Sequence, residues 1–394
     1  MKIFLEKNVW EDSLDRLRFL FDEFENIVVA FSGGKDSTVI LNLALIVAKE
    51  KNRLPLKVMF IDQEAEWNAV VEYVRRTFSR KEIEPYWLQV PIRLFNATSM
   101  DEAFLNCWNQ GEEWMREKEA ESVKDTDYGT DRFHPMFPAF LKHHFPDTSV
   151  AMLGGVRAEE SPNRRTGLTD KATYKHITYG KVYDKKKGHY TFNFIYDWSW
   201  RDIWKAIHDN KWDYCEIYDE FYRWGISPIK MRVSNLHHET AVDQLYYLHE
   251  MESDTWNALT KRLNGINQTK HISKKDMFRV TDLPYMFESW REYRDYLLEH
   301  LVKDSLKPIY VKKFAKMDID YEGIAMPEEM YKEQIMTILT NDYHFTKLAN
   351  WQGRPHTINF RKFKKGKFVN FNRPEKDLKY IKREERYANE SPNK

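Results

Sequence analysis

Cysteine is nearly missing from this chain: Cys107 and Cys215 are the only two in 394 residues. Two thiols cannot build a disulfide framework, an all-cysteine zinc site or a cysteine-ligated iron–sulfur cluster, and they suit a reducing, cytoplasmic setting. Long hydrophobic runs are missing as well. No stretch reaches the roughly 18 apolar residues that a membrane span needs, so no membrane contact is expected. Residues 1–7 lack a basic region leading into an apolar core, which argues against a signal peptide. With 62 Lys and Arg against 61 Asp and Glu, no global field steers the protein toward nucleic acid or lipid. There is no internal repeat and no low-complexity tract. Aromatic residues, by contrast, make up 15% of the chain, enough for a large core. At this length a single core ordinarily stops growing, which predicts two domains, residues 1–238 and 239–394.

Strand and helix signals alternate along the first half. Val9, Trp10, Leu14, Leu17, Leu20, Phe21 and Phe24 fall at helical spacing and predict a helix over 9–25. Apolar runs predict buried strands over 27–31, 57–61, 86–90 and 149–153, with helices after the first strand and over 67–78 and 137–145. Residues 100–134 read as a polar insertion carrying a helix over 103–118. Residues 174–179 and 190–195 alternate like strands around the turn Lys185-Lys186-Lys187-Gly188, and helices follow over 199–208 and 216–224. The order predicts an α/β fold with a doubly wound, mostly parallel sheet. Beyond residue 239 the pattern becomes amphipathic helices over 239–264, 287–301 and 326–340. This mainly helical C-terminal extension ends in a basic tail at 361–367 and a disordered last ten residues.

Ligands of doubly wound sheets sit at the carboxyl ends of strands, and those ends carry the informative residues here. Ser32-Gly33-Gly34-Lys35-Asp36-Ser37-Thr38 joins the first strand to a helix. Backbone N–H groups converge at such a turn, glycine lets the main chain approach a phosphate, and Lys35 adds a mobile charge. The spacing is too short for a Walker A loop. A plain Gly-rich helix cap, with Asp36 or Ser37 at the N-cap, is the alternative, but it gives the lysine no purpose. The fourth strand ends in Gly154-Gly155, followed by Arg157, Glu159, Glu160, Arg164 and Arg165. The arginines offer planar forks for phosphate or sulfate oxygens. The glutamates could orient them, accept from a ribose hydroxyl or help hold a metal. An ion-pair network at a helix start is the plainer alternative. Both segments lie on one rim, which favours a binding site.

The turn at residues 32–37 resembles the phosphate loop of the PP-loop ATP pyrophosphatase superfamily. The stretch Gly155-Val156-Arg157-Ala158-Glu159-Glu160-Ser161 with its later arginines, and Trp198 with Asp202-Ile203-Trp204, are similar to the phosphoadenosine phosphosulfate (PAPS) reductase and ATP sulfurylase small-subunit branch. The resemblance covers about residues 25–235. It implies an adenine nucleotide alpha-hydrolase-like fold that binds ATP, or a related adenine nucleotide such as PAPS, and cleaves between the α- and β-phosphates. By this resemblance Ser32, Gly33, Gly34, Lys35, Asp36, Ser37 and Thr38 hold the nucleotide, with Asp62 near the adenosine and Gly155, Glu159 and Glu160 completing the site. Catalytic roles fall to Lys35, Asp36, Arg157, Arg164 and Arg165, and Asp36 holds Mg²⁺ directly or through water. The long extension is similar to that of immunoglobulin-binding regulator A-type proteins.

One departure matters. A PAPS reductase needs a nucleophilic cysteine in a Glu-Cys-Gly-Leu-His-type tail, and nothing here matches it. Cys215 lies between acids, and Cys107 has no adjacent base, so thiol-dependent reduction is disfavoured. The expected function is an ATP-using, adenylyltransferase-type enzyme acting on an acceptor the sequence does not name. A nucleotide-responsive regulatory protein, engaging a partner protein or nucleic acid through its extension and basic tail, is the alternative. PAPS or APS reduction with a partner's thiol is a further one. His143-His144 and His237-His238 read as surface or satisfied histidines rather than metal ligands, because adjacent side chains point apart.

Overall fold

The computed structural model of the chain describes residues 6–364 and 366, apart from 99–101, 170, 234, 240, 270–277 and 279. Helix α1 (Val9–Glu23) starts where the Asn8 side chain accepts from the backbone of Trp10 and Glu11 while Glu11 reaches back, a closed capping box. Strand β1 (Asn26–Phe31) follows, then α2 (Lys35–Glu50), β2 (Leu56–Ile61), α3 (Asn68–Phe78) and β3 (Ile83–Leu88). After short strands β4 (Ile92–Phe95) and β5 (Phe104–Cys107) come α4 (Phe133–His144), β6 (Val150–Leu153), α5 (Pro162–Thr169), β7 (Gly180–Asp184) and β8 (His189–Phe192). Helices α6 (Trp200–Asp209), α7 (Ile217–Arg223), α8 (Val242–Met251) and α9 (Ser253–Arg262) complete this part.

The six-stranded sheet has the order β3-β2-β1-β6-β8-β7, parallel throughout except for β7 against β8. The expected α/β, mostly parallel sheet is therefore what the chain forms. Val28 and Val29 of β1 are fully buried, as a central parallel strand covered on both faces requires. Helix α2 is sunk almost all round, with Val39, Ile40, Leu41, Leu43, Ala44, Val47 and Ala48 inaccessible. Strand order reverses between β1 and β6, the point in a doubly wound sheet where a crevice forms beyond the carboxyl ends of the strands.

The described residues divide into two compact units. One is Met1–Leu94 with Asn106–Leu236 and Gln244–Arg262; the other is Phe95–Leu105 with His237–Asp243 and Leu263–Lys394. The second is helical and builds its own core from Tyr310, Phe314, Met317, Tyr321, Ile335 and Trp351. Inside it Arg294, 3% exposed at its side chain, pairs with Asp318 at 3.0 Å. Among the described residues no helix is long and apolar enough to cross a membrane.

Four local expectations are corrected. No helix forms over 103–118: Leu105 and Cys107 are buried with their neighbours half-exposed, the alternation of strand β5, and Trp108 then turns the chain at φ 57°. Residues 174–179 make one bridge, Tyr174 to Ile177, around Lys175 at φ 49°, and the arm paired with β8 is β7. The helix expected over 239–264 is broken at Glu252, whose carboxylate caps α3 by accepting from the backbone of Asn68 (2.7 Å) and Ala69 (2.9 Å). The third strand runs over Ile83–Leu88 rather than 86–90. In the basic tail, Arg361, Lys362 and Lys364 belong to a helix, Pro355–Lys364, while Lys365, residues 367–394 and the disorder expected of the last ten lie outside the described residues.

Phe192 of β8 is fully buried and packs edge-on against Phe24 and Tyr174. Phe192→Ala should cost about 3–5 kcal/mol of stability. Urea unfolding followed by tryptophan fluorescence measures it, and a loss under 1 kcal/mol would contradict this core assignment.

Candidate functional site

The phosphate-loop residues leave β1 at Ser32 and enter α2 at Lys35. Gly33 sits at φ +69°, and a Cβ there would stand 2.8 Å from Val70 Cγ1, so only glycine fits. Gly34 is the N-cap of α2 and supplies no side-chain cap, which leaves first-turn N–H groups to other partners. One partner is unexpected: the Lys35 backbone N–H donates to the Tyr218 hydroxyl at 3.1 Å. Ser37 Oγ donates to the Gly34 carbonyl (2.9 Å) and accepts from the Ser32 N–H (3.2 Å), folding the turn on itself. Thr38 is fully buried and bonds Gly34 and Tyr73, so it builds the loop rather than facing the crevice.

Across the crevice, Gly155 packs flat on α2, where a Cβ would meet Ile40 Cδ1 at 3.1 Å and Asp36 Cβ at 3.7 Å. This close approach brings Arg157 to Asp36. Arg157 is 4% exposed; its Nε donates to Asp36 Oδ1 at 2.6 Å, and another nitrogen reaches Glu159 (3.0 Å) and the Trp198 carbonyl (3.3 Å). Lys35, 5% exposed, donates from Nζ to Asp36 Oδ2 (3.0 Å) and to the Met231 carbonyl (3.3 Å). Burial pushes the Lys35 ammonium below its ordinary value; Asp36 opposes that push and Arg157 and Arg232 add to it. Glu160 pairs with Arg164. Partial burial, Arg232 and Arg157 push the Arg164 guanidinium down as well. Lys35, Arg157, Arg164 and Arg232 thus crowd one another, a field that an incoming anion relieves.

Lys35, Asp36, Arg157, Glu159, Glu160 and Arg164 are brought together. Arg165 is exposed, and its backbone bonds Ser161. Asp62 is fully buried and turned into the protein. Its carboxylate accepts from the Glu64 N–H (2.9 Å), Trp87 Nε1 (2.8 Å), Gln89 Nε2 (2.9 Å) and Arg116 (2.6 Å). Asp36 does not suit a metal held by the protein, since both of its oxygens are engaged by cations, so no step is assigned to Mg²⁺. Among the described residues no group of three His, Cys, Asp or Glu side chains could hold one. Burial pushes the Cys215 thiol up to about 12 and the Cys107 thiol well above its ordinary value, so neither is a ready nucleophile.

Sequence reasoning missed Tyr218, Met231 and Arg232, which reach the loop from distant segments with no motif to mark them. It also missed Glu66, although acids at 62, 64 and 66 form an alternating run at the end of β2. Glu66 lines a cavity of about 120 Å³ beside Ser32, with Met59, Gln63, Phe133 and Asn235. Burial, then the nearby Asp62 charge, pushes its carboxyl up to about 8 against the pull of Arg116.

Residues 26–224 match the phosphoadenosine phosphosulfate reductase domain family, and residues 225–366 match a domain of unknown function (DUF3440). The uncharacterized protein YbdN of Escherichia coli (strain K12) is 27% identical over 283 residues, 67% of this chain and 68% of YbdN. Among solved structures, Candida glabrata FMN adenylyltransferase shares 17% identity at a TM-score of 0.34, over 55% of this chain and 62% of that one. This chain therefore spans less than two thirds of that adenylyltransferase. Phosphoadenylyl-sulfate (PAPS) reductase from Candida auris shares 14% identity at a TM-score of 0.31, over 60% of this chain and 98% of that one. At these TM-scores neither likeness bears on the chemistry of the site.

Unfolded, Glu66 loses its proton near the ordinary 4.5; folded, it keeps the proton to about 8. The folded state binds more protons between those limits, so the Glu66 contribution to stability declines as pH rises through them. The melting temperature of Glu66→Gln relative to the parent protein should therefore climb from pH 4.5 to 8. Parallel pH profiles in differential scanning calorimetry would contradict the burial of a neutral carboxyl.

Proposed function

The chain belongs to the phosphoadenosine phosphosulfate reductase domain family, and from that membership and the geometry of the rim we propose that it binds an adenine nucleotide and transfers its adenylyl group to an acceptor. The observation that carries this reading is the buried Lys35–Asp36–Arg157 bridge between the start of α2 and the segment after β6. Phosphates lie against the first turn of α2, where the helix dipole and loop N–H groups favour negative charge. Lys35 exchanges the Met231 carbonyl for a phosphate oxygen, while Arg164 and Arg232 face the anionic end. An acceptor oxyanion attacks the α-phosphorus, the bond to the bridging oxygen breaks, and pyrophosphate leaves. Such transfer needs positioning and charge stabilisation rather than a reactive thiol, in keeping with two buried, hard-to-ionise cysteines. Reduction of PAPS would need its thiol from a partner.

One observation favours a second reading, a nucleotide-responsive regulatory protein. The Lys35 N–H and Nζ are engaged by Tyr218 and Met231, so nucleotide entry must displace these contacts and the segment that carries them. Occupancy would then be felt at Tyr218 of α7 and at Met231, which precedes the C-terminal extension in sequence. That extension is read as the part that meets a partner protein or nucleic acid.

Lys35→Ala should weaken ATP binding by roughly tenfold or more, the worth of a charge-assisted hydrogen bond. Calorimetric titration measures it, with melting curves checking that Lys35→Ala stays folded. Unchanged affinity in folded Lys35→Ala would overturn the assignment.

A further inference from the structure

The cavity beside Ser32 opens at the carboxyl ends of β1 and β2, next to the turn that would take the phosphates. Its walls are largely apolar, with Met59, Ile61, Phe133 and Phe137 offering flat contact to a ring system. Glu66 is the one ionisable side chain among the described residues lining it, and it is 92% buried, being 8% exposed. Its side-chain partner is distant: Gln63 Nε2, 3.4 Å from Oε1, itself fixed by the Asn235 amide. A carboxyl group in such a place has bonding capacity left for a ligand.

We infer that Glu66 reads the edge of a bound adenine, donating from its carboxyl O–H to ring N1 and accepting from the exocyclic N6 amine. This deepens the nucleotide reading proposed above and rests on it. A neutral carboxyl carries one donor and one acceptor side by side, the complement of the adenine edge; a carboxylate offers acceptors only and repels the N1 lone pair. The surroundings keep it neutral. Asp62 and Glu64 flank it on its own segment, and Glu252 and Asp254 line a second cavity that Glu66 also borders. Arg116 is the cation facing it, but the one guanidinium nitrogen that makes a side-chain contact, Nη2, goes to both Asp62 oxygens at 2.7 and 2.6 Å. Asp62 therefore takes the positive charge, and Glu66 keeps its proton.

The test titrates the full chain with ATP and with purine riboside triphosphate, which lacks the N6 amine, at pH 6.5 and 9.5. The parent protein should prefer ATP roughly tenfold at pH 6.5, one well-made hydrogen bond, and lose much of its ATP affinity at pH 9.5. Glu66→Gln keeps a donor and an acceptor, so it should retain the preference and shed the additional fall at high pH. Glu66→Ala should show no preference at either pH. A preference surviving in folded Glu66→Ala, or a Glu66→Gln profile that follows the parent protein, overturns the inference. If Lys35→Ala loses ATP while both Glu66 variants behave like the parent protein, nucleotide binding stands and this assignment falls. If the parent protein binds neither nucleotide, both fall.

Discussion

Asp36 holds the rim of the sheet together, because each of its carboxylate oxygens faces a different buried cation. Arg157 arrives from the segment after β6 and Lys35 from the first turn of α2, so the pairing ties the two sides of the crevice at the point where strand order reverses. Neither cation is more than 5% exposed. A buried charge left without its partner costs about 3–5 kcal/mol, so the three residues must form as a set. Arg157 extends the set through Glu159, which also accepts from the Trp200 N–H at the start of α6. The close packing of Gly155 on α2 is what brings Arg157 within reach of that bridge.

A second ionic hub lies at the end of β2 and does different work. Asp62 takes Arg116, and Glu64, at φ 61°, takes Arg262 at 2.7 Å together with the Trp108 N–H at 2.9 Å. Two fully buried carboxylates thus use two arginines, and the third acid, Glu66, is left without a cation of its own. Burial first, and then the neighbouring Asp62 charge, raise its affinity for a proton. One rim therefore presents a cationic half at α2 and β6 and, at β2, a largely apolar pocket holding one buried carboxyl.

Much of the sheet was legible from sequence because β1, β2 and β6 are continuous apolar runs and α2 is apolar on nearly every face. The loop at 32–37 was legible because its glycines and lysine make sense only at a strand-to-helix turn. Residues 103–118 misled because Leu105, Cys107 and Trp108 fit a helical stripe as well as a strand, and only the left-handed turn at Trp108 decides between them. Lys175 hides a similar turn, which moved the hairpin arm to β7. Around the loop, single-chain spacing put Arg157 on the same rim as Lys35, but it could not foresee that Tyr218 and Met231 reach Lys35 across more than 180 residues. Nor could it show Asp62 turning inward, since that follows from Trp87, Gln89 and Arg116 converging in space.

The most direct measurement is product identity when the purified chain is incubated with Mg-ATP and a small-molecule cell extract, resolved by ³¹P NMR. AMP or adenylylated product appearing with pyrophosphate, dependent on the extract and lost in Lys35→Ala, is the result that adenylyl transfer at this rim requires. ADP with inorganic phosphate, or tight ATP binding with no cleavage in any extract, contradicts it.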